Sequence, residues 1–140
     1  MSNFIKKKIL FIDHESGHGG SSISLYNKIK LLSQKNYKIS VILRKHSHIV
    51  GKYKSLKVKV FYLEIPTITS LKKLSSNIIS YYKYFFKLTI FICKNQKFFK
   101  KINNFDHIHL NHENLFWILK LIRIYNNKIK ITMSIRTILE

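Results

Sequence analysis

Five short apolar runs, separated by segments of helical periodicity, constrain this chain more than any other property of it. The first, Ile9-Leu10-Phe11-Ile12, lies between Lys8 and Asp13. Four consecutive apolar residues bounded by charge and followed by glycine suit a strand covered on both faces. The first strand is therefore expected over Lys8 to Asp13 and the second over Lys38 to Leu43. The third covers Val58 to Leu63 and is ended by Pro66, the fourth Ile108 to Leu110, and the fifth Lys128 to Met133. Between the first two, Ser21 to Lys35 reads as a helix, with Leu25, Ile29 and Leu32 on its buried stripe and Ser21 or Ser22 as N-cap. Asn36-Tyr37 breaks it. A polar, histidine-bearing connection through Gly51 joins strands two and three, and Glu113 to Tyr125 reads as a helix with Leu115, Ile118, Leu119 and Ile122 on one face. Such alternation specifies an α/β fold, a Rossmann-like three-layer domain with a parallel sheet of about five strands. Ligands of such sheets bind beyond the carboxyl ends of the strands, so the loops His14 to Ser22, Asn111 to Asn114 and Ser134 to Thr137 are the ones to watch.

At 140 residues and 46% hydrophobic content, the chain is expected to form one domain over 1–140. The first apolar run stops at Asp13, too short for a signal-peptide core. The lone Cys93 has no internal partner, and no Cys or His pair has zinc spacing. A cytoplasmic, reducing setting with no metal and no cofactor is expected. The net charge of +20 has two explanations, contact with a polyanion or the lysine, isoleucine and asparagine enrichment of an AT-rich genome. The second weighs more, because the chain has no alanine and all but three of its 26 basic residues are lysine. Nucleic-acid readers add arginine forks or placed aromatic motifs, which are absent, so nucleic acid is not the expected partner.

Leu71 to Lys101 is the second unusual segment. At 100° steps Leu71, Leu74, Ile78, Tyr81, Phe85, Leu88 and Ile92 share one face, while Lys72, Lys83, Lys87, Lys94, Lys97 and Lys101 gather opposite. One amphipathic helix is expected, or two in series with a break near Asn95. Lys83 and Lys87 interrupt any bilayer span. Ile79, Phe86 and Ile90 lie within or beside the lysine face. That mixture (Lys83, Phe86, Lys87, Ile90, Lys94) suits an interfacial helix on an anionic membrane, against the plainer reading of a sheet-covering helix with snorkelling lysines.

Gly17, Gly19 and Gly20 are three of only four glycines, and they precede a helix. Here the backbone turns with positive φ or lets another group approach the first helical turn. Free N–H groups there suit a phosphate or carboxylate. No Walker or dinucleotide pattern is complete, and a structural turn is the plain alternative. On the fourth strand, alternation sets His107, His109 and Asn111 on one face and Ile108 and Leu110 on the other, which aims His109 and Asn111 at one crevice. Arg136 follows the fifth strand, where it could pair with a phosphate.

Five segments carry a resemblance. Lys7-Lys8-Ile9-Leu10-Phe11-Ile12-Asp13 followed by Gly19-Gly20-Ser21-Ser22, and then Tyr37-Lys38-Ile39-Ser40-Val41-Ile42, resembles the amino-terminal half of GT-B-fold retaining glycosyltransferases that use nucleotide-sugar donors. Phe105-Asp106-His107-Ile108-His109-Leu110-Asn111 is similar to that family's Asp-x-x-His-x-His/Asn segment. Ile131-Thr132-Met133-Ser134-Ile135-Arg136-Thr137 resembles the strand and loop after it. The resemblance implies an acceptor-side domain for sugar transfer to a cell-surface polysaccharide or glycolipid. Gly19, Gly20, Ser21, His109, Asn111 and Arg136 would be its substrate-binding residues, with no catalytic residue assignable. It also implies a second, donor-binding domain, absent from these 140 residues, so the domain is expected to be incomplete at its C-terminus and to meet a nucleotide sugar only with that half supplied. The competing reading is a non-catalytic basic binding module, for nucleic acid or regulation.

Overall fold

The computed structural model describes residues 6–15, 17, 19–66 and 78–135. Its element order is β1 (Lys7–Ile12), α1 (Gly20–Ser33), β2 (Tyr37–Leu43), α2 (Val50–Ser55), β3 (Lys59–Tyr62), α3 (Ile78–Lys94), α4 (Gln96–Lys101), β4 (His107–Leu110), α5 (Phe116–Tyr125) and β5 (Lys130–Met133), with 3₁₀ turns at Ile102–Asn104 and Glu113–Leu115. All five strands are parallel, in the order β3-β2-β1-β4-β5. The fold is α/β and Rossmann-like, and the strand order reverses between β1 and β4.

Alternation along the central strands divides the core into two layers. Leu10, Ile12, Ile42, Ile108 and Leu110 face α4, α5 and the end of α3 through Phe91, Phe99, Leu115, Ile118 and Ile122. Ile9, Phe11, Ile39, Val41 and Leu43 face α1 and α2 through Leu25, Ile29 and Tyr53. The central strands are apolar on both sides because helices cover both sides, whereas edge strands β3 and β5 have no fully buried residue.

Three expectations need correcting. Neither Ser21 nor Ser22 caps α1: Gly19 holds the N-cap position, with no side-chain cap, because both hydroxyls point to carboxylates instead. The connection through Gly51 contains α2, a six-residue helix whose sequence signal is weak because only Tyr53 in it is buried. The break at Asn95 is present, yet the face of Ile78, Tyr81 and Phe85 does not cover the sheet, which the plainer reading of a sheet-covering helix required. Ile78, Tyr81 and Phe85 are 72%, 44% and 46% exposed, and the helix is anchored through Phe91, with Tyr84, Leu88 and Ile92 half-buried. Only its last turns reach the core cluster, through Phe91 and Ile92. Leu71, Lys72 and Leu74 lie outside the described residues.

Candidate functional site at the carboxyl edge of the sheet

Pairing of β1 with both β2 and β4 is in register, so the loops after β1 and β4 leave the sheet side by side at the point where the strand order reverses. Asn111 extends this pairing, donating its backbone N–H to the Ile12 carbonyl at 2.9 Å. It is fully buried, and its Nδ2 donates to the Ser21 carbonyl at 3.3 Å, which ties the β4 loop to the first turn of α1.

The glycine loop does both things that its composition suggests. Gly17 has φ +93°, and a Cβ there would stand 3.0 Å from the Ile49 backbone nitrogen, so only glycine fits without strain. At Gly19 the approaching group is the chain's own: a Cβ would come within 2.7 Å of Glu15 Oε2. That carboxylate accepts a short hydrogen bond from the Ser21 hydroxyl and a longer one, at 3.3 Å, from Ser22 Oγ. Ser22 Oγ also donates to Asp13 Oδ2 at 2.7 Å, and Asp13, wholly buried, accepts the Glu15 N–H on its other oxygen. An internal carboxylate thus stands at the start of α1, where a phosphate had been an expectation. A ligand phosphate would have to meet Glu15 there, a like-charge contact. A Cβ on Gly20 would meet nothing within 4 Å, so this position opens onto free space.

Two histidines complete this edge. His14 is 9% exposed, its ring lies edge-on to His112 with centroids 5.0 Å apart, and its Nδ1 is buried without a hydrogen-bond partner among the described residues. Burial and the neighbouring His112 ring hold the His14 pKa below the ordinary imidazole value, against the opposing pull of Asp13 and Glu15. His112 Nδ1 stands 3.3 Å from the Asn114 N–H and 3.4 Å from Glu113 Oε2. The first contact requires a bare Nδ1 and the second an Nδ1 that carries a hydrogen, so the two are alternatives.

Gly19, Gly20, Ser21 and Asn111 are therefore brought together. His109 takes another direction. Its Nδ1 lies 2.8 Å from Thr132 Oγ1 and its Nε2 3.1 Å from Ser134 Oγ, both at β5, and the ring tilts against Phe11. His107 Nε2 reaches the same Thr132 oxygen at 2.9 Å, and burial followed by Lys130 lowers its pKa. Arg136 lies outside the described residues. His112 was visible in the sequence as one of a histidine cluster around β4, whereas His14 and the acids were missed, although the distribution of charge was a usable signal: of only six acids in the chain, Asp13, Glu15, Glu64 and Glu113 all fall just after β1, β3 and β4. At the opposite edge, Lys8, Lys38, Lys59 and Lys101 line a cavity of about 290 Å³. Among the described residues no group of three or more His, Cys, Asp or Glu side chains could hold a metal ion. No family of known proteins, no curated protein and no solved structure matches the chain.

Proposed function

We propose that the chain is the acceptor-side domain of a GT-B-type glycosyltransferase, presenting a sugar hydroxyl of a polysaccharide or glycolipid acceptor to a nucleotide-sugar donor held by a second domain. The observation that carries this reading is the acid-rich, hydroxyl- and amide-lined edge at the β1–β4 reversal, in a protein of net charge +20. Carboxylates, amides and neutral imidazoles are partners for the many hydroxyls of a sugar and poor partners for a diphosphate. In the transfer, the bond from the donor's anomeric carbon to phosphate breaks, one to the acceptor oxygen forms, and the acceptor's hydroxyl proton leaves with the departing diphosphate. This wall would orient that oxygen, and the diphosphate would belong to the other domain.

The test is an amide NMR titration of the chain with neutral oligosaccharides. The expected result is shifts confined to Glu15, Gly17 to Ser22 and Asn111 to Asn114, lost in Gly20→Val, whose side chain enters open space and leaves the core untouched. A GT-B donor domain supplied in trans should then support sugar transfer by the parent chain and not by the variant. Shifts absent from these loops, together with steeply salt-dependent binding of DNA or RNA, would establish the basic binding module instead.

A further inference from the structure

Helix α3 turns its apolar side to solvent. Ile78, Tyr82, Phe86 and Ile90, spaced at i, i+4, i+8 and i+12, form one exposed stripe over an arc of about 120°. Tyr82 and Phe86 are 68% and 69% exposed. Lys83, Lys87 and Lys94 continue the arc directly beyond Ile90, all exposed. Beside them, Lys83, Lys87, Ser80, Tyr84 and Pro66 line an open depression of about 380 Å³. The Tyr84 hydroxyl is buried without a hydrogen-bond partner among the described residues, and burial raises its pKa, so it stays protonated and able to donate.

No acid lies anywhere from Ile78 to Lys101, a stretch with six lysines. We propose that this face of α3 is a docking surface for an anionic bilayer, with Ile78, Tyr82, Phe86 and Ile90 among the acyl chains and Lys83, Lys87 and Lys94 at the level of the phosphates. Charge selects this occupant. A second copy would set Lys83, Lys87 and Lys94 against the same three lysines, and no acidic segment of this chain is long enough to neutralise them. A neutral apolar partner would leave the lysines without counter-ions, whereas an anionic lipid surface provides counter-ions and an apolar layer together. No helix among the described residues is long and apolar enough to cross a membrane, so the contact lies in the interface. The inference stands apart from the sugar-transfer reading, since no crevice residue enters it.

The experiment is co-sedimentation of the full chain with phosphatidylcholine vesicles, with and without phosphatidylglycerol, at low and high salt. Binding is expected only to the anionic vesicles and should weaken with salt. Lys83→Glu/Lys87→Glu should reduce it by about tenfold or more. The same charge change at Lys28→Glu/Lys30→Glu on α1 should leave most of it, and Tyr82→Ser/Phe86→Ser should reduce it at either salt. Circular dichroism checks that each variant is folded. Equal losses from the α1 and α3 reversals, binding to neutral vesicles alone, or a Phe86-dependent dimer in sedimentation velocity with no vesicle binding would each overturn the proposal.

Discussion

The carboxyl edge of the sheet and the outer face of α3 break the ordinary partition of side chains in opposite ways. At the edge, polar groups go inside: Asp13, Ser22 and Asn111 are all fully buried. On α3, apolar groups go outside, and aromatic rings stand in water. Burying a carboxylate costs free energy unless hydrogen bonds replace its water, and Asp13 has those bonds from Ser22 and Glu15. Exposing a phenylalanine forgoes roughly 2 kcal/mol of burial, with nothing inside the molecule to offset it. The first departure is satisfied internally and so serves the fold as well as a site. The second contributes little to the fold, which is why a partner outside the chain is the natural explanation for it.

The sharpest test of this contrast is Asp13→Ala. Removing the buried acceptor takes away the partner of the Glu15 N–H and leaves the Ser22 hydroxyl only its longer contact with Glu15 Oε2, and should lower unfolding free energy by about 3 kcal/mol in urea denaturation. A loss below about 1 kcal/mol would mean that the edge network serves only a ligand. Gly17→Ala follows, with an expected loss of about 2 kcal/mol from the positive φ and the contact with Ile49. Acid should act on the same edge. The folded state holds His14 with a lowered pKa, so unfolding releases a group that binds protons more readily, and stability must fall as pH drops below about 6.5 through the folded-state value. His14→Gln should flatten that part of the stability profile, leaving the share due to His107, whose pKa is lowered in the same sense. The smallest effect belongs to α3: Phe86→Ser should change unfolding free energy by no more than about 0.5 kcal/mol, because the ring leaves no cavity. A loss of several kcal/mol there would place the outer face of α3 within the fold and erase the contrast.

Much of the architecture was legible because strands buried on both faces must be apolar throughout. Ile9 to Ile12 and Val41 to Leu43 have no other plausible fate, and every expected strand is present within two residues of its bounds. Helix α2 was hidden because one buried tyrosine in six residues makes no stripe. The error at α3 has a different origin. A helical wheel ranks the faces of a helix by apolarity but does not say how far along its length the helix touches the body. With apolar residues on both sides, the wheel chose Ile78, Tyr81 and Phe85, while contact with the sheet layer begins only near the end of the helix. At the site, the glycines and Asn111 were visible as residue types whose conformational or hydrogen-bonding needs are local. Glu15 folds back over Gly19 within a single irregular loop, and His14 meets His112 across loops ninety-odd residues apart in sequence; neither leaves a periodic signature.

The hydroxyl of Thr132 has one hydrogen and two imidazole neighbours. If it gives that hydrogen to His109 Nδ1, then His107 Nε2 must donate to it, and His109 Nε2 in turn donates to Ser134. If it gives the hydrogen to His107, each bond reverses, and Ser134 becomes the donor. The tautomers of two histidines and the orientation of a serine hydroxyl are therefore one variable with two values. Protonation of His107 fixes that value, so a change of acidity at the start of β4 would be read at the carboxyl edge as the direction of a single hydrogen bond.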